Sequence, residues 1–349
     1  MHQQRREDPG SSPNNRCTPM TRRGLLLILL LLILPAVARA QSIQWSMANE
    51  YPATSIQGEA DARFARELSE RTAGRIQITH QYDASSGFRS KDMVEAIARG
   101  KVPIGNTFMG ALGGLDPVFL VPSLPFLATT VEQGQALAEI VRPAYEHALA
   151  GQNQKLLFLS PWPAAGLWAH KPITSVEALK GLRVRSPDAN GVLAFKAAGA
   201  VPVQVSFSDA IPQLKAGQLD AVLSSGDGGA GVLLAQVLRH FTAIDYAVTM
   251  SMVTLNAEAW NALTPDLQQA VLAAAAATEA RQWEIMKTRV ADNHARMRAA
   301  GVGITTDLTP EFRQALRAAG QVAVDDWRQK MGPAAAPILD AYRSRMGGR

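Results

Sequence analysis

The feature that most constrains this chain is a helical pattern near its end that nothing interrupts. Thr264, Pro265 and Asp266 make a start signal: a capping residue, a proline at the first helical position and an acid at the positive end of the dipole. The pattern continues to Gly301, with Trp283, Met286, Val290 and Met297 on one apolar face. About 36 residues at 1.5 Å each predict a helix of about 54 Å, longer than one small lobe is wide. Such a rod has to brace two lobes, unless a kink divides it into two helices.

Upstream, the recurring unit is a helix, a glycine stop and a short strand. Ile56, Phe64 and Leu68 form a stripe that ends near Gly74, before "RIQITHQ". Met93 and Ile97 share a face that ends at Gly100, before "VPIGNTF". Asn190–Ala198 ends at Gly199 before "VPVQV", and Ser208–Ala216 at Gly217 before "LDAVLSS". Helices alternating with short strands predict an α/β fold. The units fall into two clusters, about 41–160 and 163–249, joined at Pro161 and Pro163. The expected architecture is two α/β lobes, with the long helix spanning both. Lobe I takes 41–162 plus about 250–290, and lobe II takes 163–249 plus about 291–349.

Residues 1–40 read as a secretory signal peptide. Arg22 and Arg23 precede an apolar run from Leu25 to Leu34, followed by Pro35 and the small-x-small site Ala38-Arg39-Ala40. Roughly 18 or more apolar residues are needed to span a bilayer, so cleavage near Ala40 is expected over a retained anchor. Met20 is placed where such a leader would start. "TRRGLL" is also compatible with twin-arginine export, although its leucine-rich core suits the general route better. The expected location is the periplasm.

The leader also explains the charge. The chain has 35 Lys+Arg against 30 Asp+Glu, and residues 1–40 hold six Arg and two acids, leaving 29 against 28. A nearly neutral mature protein has no electrostatic footprint for nucleic acid. The only cysteine, Cys17, is in the leader. The exported part therefore has neither disulfide nor thiolate and depends on its core.

No catalytic constellation emerges. The six histidines show no metal spacing, and no HExxH or Gly-x-Ser-x-Gly occurs. No enzyme activity, cofactor or metal is expected. One motif needs weighing: Gly226-Asp227-Gly228-Gly229-Ala230-Gly231 is a literal GxGxxG, with Asp245 at roughly the distance of a ribose-binding acid. In a nucleotide fold this motif opens the first βαβ unit, whereas here the strands precede it. A turn where the backbone passes close to something at a strand end is the favoured reading, with Asp227 capping the next helix.

As a set, several segments resemble the extracytoplasmic solute receptors of TRAP transporters, the C4-dicarboxylate-binding type. They are "WSMANEYPATSIQGEADARFARELSERTAGRIQI", "GLDPVFLVPSLPFL", "PITSVEALKGLRVRSP", "AAGAVPVQVSFSDAIPQLKAGQLDA" and "WNALTPDLQQAVLAAA". The resemblance spans nearly all of 43–330. It implies an α/β, two-lobed, periplasmic-binding-protein-like receptor with a central ligand cleft, which closes on a small organic acid and passes it to membrane permease subunits driven by an ion gradient. An exported enzyme acting on such an acid and a ligand-sensing subunit remain the alternatives.

The resemblance also implies site residues. Arg185, rather than Arg183, matches the arginine that clamps the ligand carboxylate, a role suited to a planar fork giving two parallel hydrogen bonds. Phe207 matches an aromatic pocket wall, and Ser224 stands where many members have asparagine. Many members carry a further arginine in the stretch represented here by "WPAAGLWAHKPI", which has none and offers Trp162 and Trp168. One cation fewer and more aromatic surface point to a monocarboxylate with an apolar or aromatic body. Tyr51 and Asn106, at strand ends of the first cluster, complete the expected ligand-binding set.

Overall fold

The computed structural model describes residues 42–347. The leader, with Cys17, Met20 and the site at Ala40, lies outside the described residues. Strand β1 (Ile43–Asn49) leads into helix α1 (Ile56–Arg71), whose N-cap Ser55 accepts the Gly58 N–H. Ile56, Ala60, Phe64 and Leu68 are fully buried along one stripe of α1. The chain returns as β2 (Ile76–Gln81), then α2 (Ser90–Ala98) and β3 (Ile104–Phe108). A 3-10 segment at Pro117–Ser123 precedes α3 (Val131–Ala150) and β4 (Gln154–Pro161).

The second series comprises β5 (Gly166–Ala169), β6 (Arg183–Ser186), α4 (Ala189–Ala197), β7 (Val201–Gln204), α5 (Phe207–Lys215), β8 (Ala221–Ser224), α6 (Gly228–Ala235) and β9 (His240–Thr242). Then come β10 (Met250–Asn256), α7 (Ala257–Asn261), α8 (Pro265–Ala299), β11 (Gly303–Thr305), α9 (Pro310–Met331) and α10 (Ala335–Gly347). The glycine stops act as their positions require: Gly74, Gly100, Gly199 and Gly217 all have positive φ just past a helix.

Two sheets result, one per lobe. The first has the order β2-β1-β3-β10-β4, parallel except for β10, which runs antiparallel to β3 and β4. All seven residues of β10 are buried, as expected for a central strand covered on both faces. The second sheet has the order β11-β9-β5-β8-β6-β7. Pro202 sits in its edge strand, where a missing N–H costs nothing. The chain thus crosses between lobes after β4, crosses back before β10, and crosses a third time within α8.

Helix α8 is one unbroken element of 35 residues, about 52 Å long at 1.5 Å per residue. Leu267, Val271, Ala274 and Ala275 join the core of the first lobe, Trp283 the α3 core, and Met286 and Met297 the core beneath the second sheet. Two details differ from the sequence reading. Val290 is 39% exposed, at the border of the stripe. Thr264 makes no side-chain cap, because its hydroxyl is taken by Asp266, which also binds Arg75 at 2.7 Å. The tail divides: α9 packs on α4 and α10 on α3.

Candidate functional site

Arg185 lies on β6 in the interior of the second sheet, with Val203 and Val222 as its neighbours on either side. Its Nε donates to the Val205 carbonyl at 2.8 Å and its Nη1 to the Leu223 carbonyl at 3.1 Å. The residue is only 3% exposed. Among the described residues no carboxylate lies within ion-pair distance of it. Burial pulls its pKa down, and the nearby Tyr51, Glu50 and Asp188 oppose that shift. Arg183, two residues earlier, differs in every respect: it is exposed and held by Asp220, through Nε at 2.8 Å and Nη2 at 2.6 Å. One position of the pair is a surface ion pair and the other a buried cation facing a cavity.

That cavity is a chamber of about 40 Å³ between the lobes, sharing Tyr51, Phe108, Arg185, Pro187 and Phe207 with an outer cleft of about 490 Å³. One water needs about 10–15 Å³ on this measure, so the chamber has room for about three. Aromatic rings of Tyr51, Phe108, Trp162, Phe207 and Tyr246 form part of its wall. Tyr51 packs against Trp162 at 4.6 Å between ring centroids and against Phe207 at 5.7 Å. The Trp162 indole N–H is committed to Ser251 Oγ at 3.0 Å, which fixes the ring and leaves its face to the chamber. Burial raises the Tyr51 hydroxyl well above its ordinary range, keeping it a neutral donor. Ser224 ends β8 at the wall, its Oγ accepting the Gly226 N–H at 3.2 Å.

Five of the six residues expected from the sequence therefore meet in one chamber. Asn106 does not line it. Instead its Nδ2 donates to Asp61 Oδ1 at 2.7 Å, while Asn49 holds Asp61 Oδ2 at 2.6 Å. Asp61 lies on α1 beneath the first sheet, and burial pushes its pKa up to about 7. Asn106 is the central residue of β3 and not a strand end as expected, and no local cue reveals its role, because the acid that claims it is 45 residues away. Trp168 is also core, fully buried and packed on Phe241 at 5.4 Å. Asp188 and Tyr246, both fully buried or nearly so, line the chamber without having been singled out. In "SPDAN" the acid reads only as a helix cap, and Tyr246 follows a strand in a loop with no motif.

The glycine-rich loop has a structural occupant. A Cβ on Gly226 would meet the Trp168 ring at 2.3 Å, one on Gly228 the Thr54 carbonyl oxygen at 2.0 Å, and one on Gly231 the Gly226 carbonyl oxygen at 2.1 Å. The backbone thus passes close to protein. Asp227 stands at the N-cap position of α6, as the sequence suggested, but its side chain makes no cap bond there. It is fully buried and accepts from the Ile56 N–H at 2.6 Å, Arg289 Nε at 2.6 Å and Asn293 Nδ2 at 2.8 Å. It caps α1 of the other lobe, and Arg289 continues the network to Glu59 at 3.1 Å.

At the cleft rim a second set of contacts joins the lobes. Arg89, just before α2, places Nε and Nη2 on Asp209 Oδ1 of α5 at 3.1 and 2.8 Å. Glu50 accepts the Ser90 N–H at 2.8 Å with one oxygen and the Ser208 N–H at 3.2 Å with the other. These contacts and the Asp227 network both join the lobes, so this is a closed arrangement.

Two α/β lobes around a cleft are the architecture of extracytoplasmic solute receptors of solved structure. The chain belongs to the bacterial extracellular solute-binding protein family 7, DctP, whose pattern matches residues 47–330. Members of this family are solute-binding receptors and not enzymes, and they are periplasmic. Among the described residues no helix is long and apolar enough to cross a membrane. The chain is 26% identical over 313 residues to the 2,3-diketo-L-gulonate-binding periplasmic protein YiaO of Escherichia coli, covering 86% of this chain and 91% of that one. Its fold is similar to that of DctP7, a Bordetella pertussis receptor binding pyroglutamic acid. The TM-score is 0.82 at 29% identity, over 86% of this chain and all of that one. A marine metagenome TRAP receptor specific for pyroglutamate gives a TM-score of 0.82 at 28% identity, over 87% of this chain and 99% of that one.

Proposed function

We propose that this protein captures a small organic acid in the chamber between its lobes, clamps the carboxylate on Arg185, and delivers it to a TRAP-type permease for ion-gradient-driven uptake. The observation that carries this reading is a buried guanidinium that donates to two main-chain carbonyls and lies against the Tyr51 hydroxyl, with no carboxylate in ion-pair reach among the described residues. A buried cation without a counter-charge is costly. A ligand carboxylate supplies the missing charge and accepts two parallel hydrogen bonds from the fork. Because the bound acid touches groups from both lobes, it stabilises the closed state specifically.

The small chamber, with its aromatic walls and Arg185 as its sole lining cation among the described residues, favours a monocarboxylate over a dicarboxylate. Pyroglutamate, which two receptors of similar fold bind, is a small monocarboxylate of this kind. In this reading the leader is cleaved near Ala40 and releases the receptor to the periplasm. The test is thermal unfolding of the purified protein, stripped of co-purified ligand, against monocarboxylates, C4-dicarboxylates, sugar acids and NAD. A ligand at 100 times its Kd adds about 2.7 kcal/mol of stability. We expect small monocarboxylates to raise the melting point and Arg185→Ala to abolish the rise. A shift from NAD alone, or one that survives Arg185→Ala, sinks the reading.

A further inference from the structure

Two polar atoms beside the chamber make no hydrogen bond of ordinary length within the protein. Asp188 is fully buried and lines the chamber. Its Oδ1 accepts the Gly191 N–H at 2.9 Å and so caps α4, and the nearby Ser123 hydroxyl favours its charged form, while its Oδ2 makes no hydrogen bond of ordinary length. The Tyr246 hydroxyl, on the same chamber, also lacks a partner. The two residues are close enough that Asp188 adds to the upward push that burial gives the Tyr246 hydroxyl. Buried polar atoms are almost always satisfied, and an orphan on a cavity wall points to what the cavity holds.

The position of Asp188 narrows the chemistry. It follows Arg185 by three residues and is near enough to interact with its charge. A carboxylate seated on Arg185 thus has an acceptor beside it. A second ligand carboxylate there would be repelled. An N–H on the carbon that bears the carboxylate would be received. An ammonium would bring three donors where one acceptor oxygen is unclaimed, while an amide or lactam nitrogen brings one.

We propose that Asp188 is a specificity-determining residue, accepting an amide or lactam N–H carried on the ligand carbon next to the carboxylate, while the Tyr246 hydroxyl donates to the adjoining carbonyl. The inference rests on Arg185 clamping the carboxylate and adds the class of acid that the chamber selects. A site built to receive an N–H rejects an analogue lacking it far more strongly than an apolar wall rejects a change of shape.

The experiment is calorimetric titration of the purified, ligand-stripped protein with two isosteric rings. One is pyroglutamate; the other is the lactone 5-oxotetrahydrofuran-2-carboxylate, in which a ring oxygen replaces the N–H. Wild type should prefer the lactam by roughly a hundred-fold or more. Asp188→Asn keeps the helix cap, since asparagine caps as well as aspartate, and should reduce that preference to below about ten-fold, because its amide can donate to the lactone oxygen. Tyr246→Phe removes a hydroxyl bonded to nothing in the protein; it should leave the melting point of the free protein unchanged and weaken lactam binding about ten-fold. Equal binding of the two rings by wild type overturns the inference. So does an unchanged preference in Asp188→Asn, or a chamber that takes other acids but neither ring. If lactam binding survives Arg185→Ala, the clamp itself is wrong. If it is lost there with no preference for the lactam in wild type, only the role of Asp188 falls.

Discussion

Asp227 accepts the backbone N–H of Ile56 at 2.6 Å, a bond between residues 171 apart in the chain and on different lobes. The same carboxylate binds Arg289 of the bracing helix at 2.6 Å. One buried acid therefore ties together the strand-end loop of the second lobe, the first helix of the first lobe and the rod that spans both. Removing one partner of a buried pair leaves the other uncompensated, at a cost of about 3–5 kcal/mol. Asp227→Ala should lower the melting point by several degrees, and Asp227→Asn by less. A melting curve unchanged in both would show that the network is not a joint.

Arg185 predicts the opposite pattern. Because no protein carboxylate pairs with it, Arg185→Met should not destabilise the ligand-free protein and should raise its melting point, while losing ligand affinity by about 2–5 kcal/mol. Arg185→Lys keeps the charge but loses the fork, so it should recover only part of the affinity. Titration of the wild type and both variants with the cognate acid checks this. Full recovery with lysine would mean that charge alone is recognised.

The rim contacts should act on the rate of ligand escape. Arg89 and Asp209 are partly exposed, with side chains 28% and 44% accessible, and exposed pairs contribute about 0–1 kcal/mol to folding. Arg89→Ala should leave the melting point of the free protein nearly unchanged and speed ligand dissociation several-fold, read by stopped-flow quenching of Trp162. The Arg89 hydrogen bond holds the Asp209 carboxyl below its ordinary pKa. The contact is therefore intact above the usual aspartate range and is lost only as pH falls through the lowered value. Dissociation that speeds up already at pH 6 would point elsewhere.

Asp61 sets a different pH dependence. Burial raises its pKa to about 7, its largest cause, against opposing hydrogen bonds from Asn106 and Asn49. The folded state then binds the proton more tightly than the unfolded chain, whose aspartate titrates near about 4. Its contribution to stability is full below that value and declines as pH rises toward about 7. His80 and His294 are shifted down by burial and act in the opposite sense. The clean readout is thus the difference between wild type and Asp61→Asn in denaturant unfolding at pH 5 and pH 7.5. The variant should gain on wild type as pH rises, and a constant difference would refute the assignment.

What the sequence revealed and what it hid divide along chain separation. The rod from Pro265 and the glycine stops rest on local pattern, and the structure has both where they were expected. The choice of Arg185 over Arg183 rests on a motif, and the structure buries the first and exposes the second. The partners of Asn106 and Asp227 are 45 and 171 residues distant, so local cues favoured a ligand contact for one and a neighbouring cap for the other. Asp188 is a cap and also an orphan, and only the first property leaves a trace in its neighbours. The glycine-rich loop misleads for a related reason. Close backbone approach demands glycine whether the approaching group is a phosphate or, as here, Thr54 and Trp168.

The support of Arg185 has a consequence for descent. Its guanidinium is oriented by the carbonyls of Val205 and Leu223, groups that every amino acid carries. Mutation at those two sites can alter side chains without erasing the acceptors, so the anchor point is inherited with the course of the strands. Under the proposed clamp, substitutions around the rest of the chamber are then free to explore new cargo while the carboxylate end stays where it was.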